Sequence, residues 1–175
     1  MTDVMIDIEA LGPKNCIVQI GACYFDRYTG EIGTTFKINI DAVSAVKAGA
    51  ILDPDTVYWW LSQSKEAINS IIAEPRQDIH VAMNALNAFL APCKAIWSHA
   101  TYDFVIITNT YRMLHMKTSF QYKVCRDIRT LTDLAKITID DTPRIGLHHD
   151  GLEDALHQVK YCVRAFNKLK SKESK

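Results

Sequence analysis

Two carboxylates stand close together near the start of the chain, in the pattern Asp7-Ile8-Glu9. Apolar Val4, Ile6 and Ile8 alternate with them, which predicts a strand whose acidic side chains share one face. If that strand is central in a covered sheet, two ionised carboxylates without partners are unfavourable there and raise each other's pKa. Divalent cations compensate such a pair directly. For a lone Asp-x-Glu pattern, a solvated strand face is the simpler explanation.

Asp103, His149 and Asp154 could take part in the same chemistry. Asp103 stands at a predicted strand-to-helix junction, where the helix dipole alone would also favour an acid. Residues 150–153 resemble a capping box, which places His149 on a loop and Asp154 in the first turns of a helix. On one continuous helix these two residues would point about 140° apart, so the loop is what allows both to face one cavity. Taken singly, His149 is equally consistent with a surface loop histidine.

The elements that must position these residues follow an α/β pattern. Three strands come first and predict an antiparallel meander, and helices and strands then alternate, which predicts a mixed sheet covered by helices. Asp53-Pro54 is a helix start, with Asp53 as N-cap and Pro54 at the first helical position. The predicted strands span about 4–9, 16–25, 31–40, 94–97 and 122–125. One predicted helix begins at residue 54, and the other predicted helices span about 77–90, 102–114, 128–135 and 151–169.

Composition limits the remaining possibilities. The 175 residues carry 20 basic and 20 acidic side chains, so no global basic field exists and a nucleic-acid site must be local or must use metal ions. The five cysteines form no CxxC pair, which argues against a disulfide framework or a four-thiolate zinc site. Neither a signal peptide nor a membrane span is predicted. We expect one domain over residues 1–169, a frayed basic tail over 170–175 and a cytoplasmic location.

The acids and the histidine, in this order and on these elements, resemble the DEDDh family of 3′-to-5′ exonucleases. Residues 5–12 are similar to the first motif of that family. Residues 58–67 and 126–130 are similar to a narrower branch that contains phage exonuclease A-like and exonuclease VIII-like proteins and small bacterial exoribonucleases. The resemblance extends from about Met5 to Phe166.

The resemblance implies an RNase H-like fold, with a mixed five-stranded sheet, and a metal-dependent exonuclease. It implies that Asp7 bridges two Mg²⁺ or Mn²⁺ ions, that Glu9 and Asp154 hold the ion on the nucleophile side, and that Asp103 positions the other through water. His149 would take the proton from the attacking water. The implied substrates are 3′ ends of single-stranded or overhanging nucleic acid, with DNA slightly favoured over RNA, and the implied products are nucleoside 5′-monophosphates. A homodimer and, for a phage protein, the host cytoplasm are further expectations.

Three positions depart from the family pattern: Ala10 replaces the usual Thr, His99 replaces Asn or a small residue, and Gly151 replaces Ala. None of them removes a predicted ligand or the predicted base, so activity is expected with altered end binding. Phe104 and Trp59 are assigned to the core. The residues predicted to contact substrate are Ala10, Leu11, Trp60, His99 and Tyr102.

Three other functions are compatible with parts of the sequence. A nucleic-acid-binding module with a degenerate site would require a missing ligand, and all four acids and the histidine are present. A Cys–His hydrolase could be built from Cys93 and His99, without support from the surrounding residues. An interaction surface on the helix that carries Trp59 and Trp60 could coexist with catalysis.

Overall fold

The computed structural model describes residues 1–139, 142–144 and 146–173. The chain begins with three strands, β1 (Asp3–Ala10), β2 (Ile17–Phe25) and β3 (Ile32–Ile40). A 3-10 turn spans Tyr122–Val124. The remaining elements are α1 (Ala42–Lys47), α2 (Pro54–Leu61), α3 (Lys65–Ile72), β4 (Arg76–Gln77), α4 (Ile79–Leu90), β5 (Ala95–Ser98), α5 (Asp103–Met113), β6 (Cys125–Asp127), α6 (Ile128–Ala135) and α7 (Gly151–Glu173).

The strands of the described residues form one mixed sheet in the order β4-β3-β2-β1-β5-β6. Strand β1 lies in its interior, antiparallel to β2 and parallel to β5. This confirms the predicted α/β fold with an antiparallel start. The sixth strand, absent from the prediction, is the two-residue β4, which pairs only with Asn39 and Ile40 and is too short to produce a hydrophobic pattern.

Both faces of β1 are covered by helices. Val4, Ile6 and Ile8 belong to the core cluster shared with α4 and α5. Met5 points the other way, into the cluster built with α6 and α7. Because side chains alternate along a strand, Asp7 and Glu9 lie on the α7 side of the sheet. All eight residues of β1 are buried, so these carboxylates lie in the covered sheet that the metal hypothesis requires.

The predicted helix starts are confirmed at two places. The Asp53 side chain accepts a hydrogen bond from the Thr56 N–H at 2.9 Å and Pro54 opens α2. The Asp150 side chain accepts one from the Glu153 N–H at 3.3 Å at the start of α7. Helix α7 continues to Glu173, and residues 174 and 175 of the tail predicted over 170–175 lie outside the described residues. Residues 140, 141 and 145, which precede α7, also lie outside the described residues.

Helix α7 meets the sheet at a contact between two glycines. A Cβ atom on Gly21 would lie 2.0 Å from the backbone of Gly151, and one on Gly151 would lie 2.9 Å from the Gly21 nitrogen. The Gly151 N–H also donates to Gln19 Oε1 at 2.7 Å. This close approach gives a physical reason for glycine at 151, and it brings the first turn of α7, with Asp154, against β1.

Among the described residues, no helix combines the length and the apolar character needed to span a bilayer.

Candidate active site

A cavity of about 890 Å³ opens on the α7 side of β1. It is bounded by the C-terminal half of β1, the start of α5, one face of α2, the chain before α7 and the first turns of α7. The cavity is lined by every residue that the sequence predicts to be catalytic, namely Asp7, Glu9, Asp103, His149 and Asp154.

Three of the four acids form a tight group. Asp7 and Glu9 come from β1 and Asp154 from α7, and one carboxylate oxygen of each lies within 4.8 Å of the others. Asp103 lies at the first position of α5, where its Oδ2 accepts a hydrogen bond from the His99 N–H at 2.8 Å. Asp103 lines the same cavity without belonging to the group of three.

Burial makes these carboxylates unfavourable as anions. The pKa of Asp7 lies well above its ordinary value because of desolvation, with Asp103 and Glu9 adding repulsion. Desolvation and Asp103 raise the pKa of Glu9 to about 8, and desolvation raises that of Asp103 to about 7. A nearby positive charge stabilises the ionised form of such buried carboxylates. A donor set made only of carboxylates suits hard divalent cations such as Mg²⁺ and Mn²⁺. The residues therefore fit the metal ions that the resemblance implies.

Two polar side chains that the sequence analysis did not single out contact these acids. Arg144 forms an ion pair with Asp154. Gln158 donates from Nε2 to Asp7 Oδ1 at 2.6 Å, and its buried Oε1 has no partner among the described residues. Gln158 lies four positions after Asp154 on α7, hence on the same helix face. That spacing was a usable sequence signal, whereas nothing in the sequence distinguished Arg144.

His149 lies beside Asp154, as predicted. It occupies a turn with φ of 62°, and its N–H donates to Asp154 Oδ2 at 3.2 Å. The ring meets Trp59 edge-on at 4.9 Å between centroids and Trp60 at 5.8 Å, while His148 stacks on it at 3.8 Å. Desolvation, followed by repulsion from His148 and Arg144, lowers the pKa of His149 to about 4. The imidazole is therefore neutral near pH 7 and can accept a proton.

Both tryptophans of α2 line the cavity, and they differ in exposure. Trp60, predicted to contact substrate, is only 4% exposed, and its Nε1 donates to the Ala10 carbonyl at 3.0 Å. Trp60 thus supports the end of β1 and offers the cavity little free surface. The assignment of Trp59 to the core is wrong, because this ring is 44% exposed and lines the cavity. Tyr102, 40% exposed, lines the cavity as well.

The other predicted substrate contacts divide into two groups. Ala10 and His99 line the cavity, and His99 Nε2 lies 3.4 Å from the Tyr161 hydroxyl. Leu11 is not part of the cavity lining and packs against the hydrophobic core. Phe104 is buried in the core, as predicted.

The structure gives no support to a Cys–His hydrolase. Cys93 packs against the hydrophobic core and does not line the cavity that contains His99. Burial also raises the pKa of the Cys93 thiol, which disfavours the nucleophilic thiolate.

Comparison with known proteins identifies a nuclease family and similar folds. Residues 2–166 match the model of a family described as the 3′-5′ exoribonuclease Rv2179c-like domain. The nuclease domain of 3′hExo, a DEDDh family member bound to rAMP, has a similar fold, with a TM-score of 0.63, 12% identity, and 94% of this chain and 91% of that chain covered. Exonuclease X in complex with 5′ overhanging duplex DNA gives a TM-score of 0.53, 14% identity and coverage of 94% and 91%. No curated protein sequence matches this chain.

Proposed function

Because the chain belongs to the family of 3′-5′ exoribonuclease Rv2179c-like domains and is a hydrolytic 3′-5′ exonuclease of the DEDDh type, we propose that it shortens RNA from the 3′ end with two divalent cations and releases nucleoside 5′-monophosphates. One observation carries the proposal. Four acids from β1, α5 and α7, together with a neutral loop histidine, line one cavity.

Asp7, Glu9 and Asp154 would hold the ion nearest the nucleophile, since their oxygens form the tight group. Asp103, which is tied to the His99 N–H, would help to position a second ion, and Asp7 would be shared by both. Bound divalent cations supply an acidified water and neutralise charge on the phosphodiester. Gln158, through its hydrogen bond to Asp7 Oδ1, orients the shared carboxylate.

His149 is the general base of the proposed reaction. Its ring is held by Trp59 and by the backbone hydrogen bond to Asp154, so its lone pair has a defined position beside the acids. The lowered pKa keeps the lone pair free at neutral pH. The imidazole would take the proton of the attacking water and then release it to solvent at the cavity mouth.

The 3′-terminal nucleoside would bind between the exposed rings of Trp59 and Tyr102. Both residues line the cavity and are partly exposed to solvent. Stacking on aromatic rings is worth about 1–3 kcal/mol per base and accepts any base, which suits an enzyme that removes successive nucleotides. A cavity of about 890 Å³ lies within the range of small-ligand sites.

RNA is proposed as the substrate because the family that matches residues 2–166 is described as an exoribonuclease family. The DNA preference expected from the sequence is the competing hypothesis. The two substrates differ at the 2′-hydroxyl of each nucleotide, so the choice depends on one polar contact at the 3′ end.

Matched RNA and DNA oligomers test the proposal. Each carries a 5′ label and is incubated with the protein and Mn²⁺, with EDTA and the Glu9→Gln variant as controls. We expect a ladder that shortens from the 3′ end, faster for RNA, with nucleoside 5′-monophosphates as the products. Internal fragments or shortening from the 5′ end would contradict the exonuclease assignment, and faster loss of DNA would reverse the substrate assignment.

A further inference from the structure

His148 has no role in the proposed reaction, yet its position is unusual. Its ring stacks on that of His149 at 3.8 Å with an interplanar angle of 23°. One ring nitrogen of each histidine and one carboxylate oxygen of Asp154 lie within 4.8 Å of one another. We propose that His148, His149 and Asp154 form a second metal site, which binds Zn²⁺ and inhibits the exonuclease.

The ligand chemistry distinguishes this site from the group of carboxylates. Two imidazoles and one carboxylate are a ligand set that Zn²⁺ uses, with a fourth position left for water. Imidazole nitrogen binds zinc in preference to magnesium, whereas sites made only of oxygen ligands suit Mg²⁺ and Mn²⁺. Two clusters that share one residue thus select different ions.

The three ligands are close together, and one of them is open to solvent. The His149 N–H donates to Asp154 Oδ2 at 3.2 Å, which links the turn to the first turns of α7. Trp59 meets the His149 ring edge-on at 4.9 Å between centroids. His148 is exposed, so an ion can approach from solvent and its ring can turn toward the other ligands.

Arg144 is the charged neighbour that an incoming ion meets. Its guanidinium pairs with Asp154, and it also repels positive charge at His148 and His149. Zinc must therefore displace Arg144 from Asp154. Because the carboxylate site shares Asp154, Mg²⁺ meets the same competitor, and Arg144 does not decide which of the two ions binds.

Inhibition follows from the shared residues. An ion held by His149 and Asp154 occupies the lone pair of the proposed base and removes one carboxylate from the Mg²⁺ site. The binding site itself rests on geometry alone, whereas its inhibitory effect rests on the proposed exonuclease function.

Titration calorimetry with Zn²⁺ in the presence of excess Mg²⁺ tests the site without an activity assay. We expect one zinc ion to bind to the wild-type protein, at least about ten-fold weaker binding to His148→Ala, and retained binding to His148→Cys, which keeps a zinc ligand. His80→Ala is the matched control, because His80 is an exposed histidine that lies near Asp78 on another part of the surface. Equal zinc affinity of the wild-type protein and His148→Ala overturns the site.

RNA degradation with Mg²⁺ and increasing Zn²⁺ tests the inhibition. His148→Ala should keep the activity seen without zinc and should require at least about ten-fold more zinc for half-inhibition. Equal sensitivity of the variant and the wild-type protein overturns the inhibitory role. If calorimetry shows the site and no 3′-end degradation occurs with any metal, the proposed function fails while the zinc site stands.

Discussion

The side chains of the cavity combine buried acids with a base that remains neutral. Glu9 is 7% exposed and Asp103 is 2% exposed, and both have a raised pKa. The same desolvation acts in the opposite direction on His149, because its charged form is the cation. Low solvent access therefore keeps the imidazole neutral and makes the acids strong ligands for a cation.

Replacing His149 tests its role as the base. We expect His149→Ala to lower the rate of nucleotide release about 10²–10⁴-fold, the usual contribution of a general base. Because the pKa of His149 lies at about 4, its protonation should not limit the wild-type rate between pH 6 and 8. His148→Ala is the control and should stay near the wild-type rate. An unaltered rate for His149→Ala would exclude it as the base.

Gln158 acts as a positioning residue for Asp7. Gln158→Met keeps the volume and removes the 2.6 Å hydrogen bond to Asp7 Oδ1, so Asp7 can rotate. We expect half-saturation with Mn²⁺, measured by calorimetry without substrate, to require about 10–100-fold more metal. Exposed Gln121→Met is the control. Wild-type Mn²⁺ affinity in Gln158→Met would show that the hydrogen bond is only structural.

At the level of residues, the sequence was informative where spacing alone determines geometry. Asp7 and Glu9 share a strand face by periodicity, and Asp154 follows a recognisable helix cap. The core assignment of Trp59 failed because neighbouring residues on α2 point about 100° apart, and which of them faces the core depends on tertiary packing. Arg144 could not be predicted because its loop has no periodic pattern.

Among the elements, the junction of α7 with β2 is the closest backbone approach next to the active site. Gly21 and Gly151 allow backbone to meet backbone at this crossing. Asp154 lies one turn beyond the junction, and its distance from Asp7 follows from how closely α7 approaches β1. The sequence indicated both elements and could not reveal the contact, since a glycine within a strand has several possible causes.

Gly21→Ala tests the junction. The added methyl group would overlap with the backbone of Gly151, so α7 must move away from the sheet. We expect the free energy of unfolding to fall by about 1–3 kcal/mol or more, and the affinity for Mn²⁺ to fall with it, as measured by urea denaturation and calorimetry. In Gly33→Ala the new methyl group meets the flexible end of Met1, and this control should be much milder. Wild-type stability of Gly21→Ala would contradict the close contact.

Short elements were the main omission of the sequence analysis. Helices α1 and α3 have six and eight residues, and β4 has two. Segments of this length show less than two or three turns of periodicity, so they form because the surrounding fold holds them. The long elements and their order were predicted correctly, with boundaries that differ by a few residues.

For the whole molecule, the balance of charge hides a local excess. Twenty acidic and twenty basic residues give a net charge of zero, yet six acids and one paired guanidinium line the cavity. Divalent cations would neutralise this negative charge. The stability of the whole protein is therefore expected to depend on bound metal and on pH.

The metal-free protein should become less stable as the pH rises from 6.5 to 8. Glu9 and Asp103 titrate near 8 and 7 in the folded state and near their ordinary values when unfolded, so folding takes up protons in this range and rising pH opposes it. The histidines with lowered pKa add stability only up to about pH 6.5. We expect a loss of about 1–2 kcal/mol in urea denaturation with EDTA, reduced in Glu9→Gln and reversed by Mn²⁺. A flat profile for the metal-free wild-type protein would contradict the raised pKa values.

The ion pair between Arg144 and Asp154 has a consequence for the resting enzyme. When a metal ion binds, the Asp154 carboxylate exchanges the Arg144 guanidinium for the ion, and the reverse happens when the ion leaves. The buried carboxylate is therefore always paired with a cation. Arg144→Gln should therefore act with opposite signs, by lowering the melting temperature in EDTA while tightening Mn²⁺ binding, because the internal competitor is gone. A change in the same direction for both quantities would show that the arginine does not substitute for the ion.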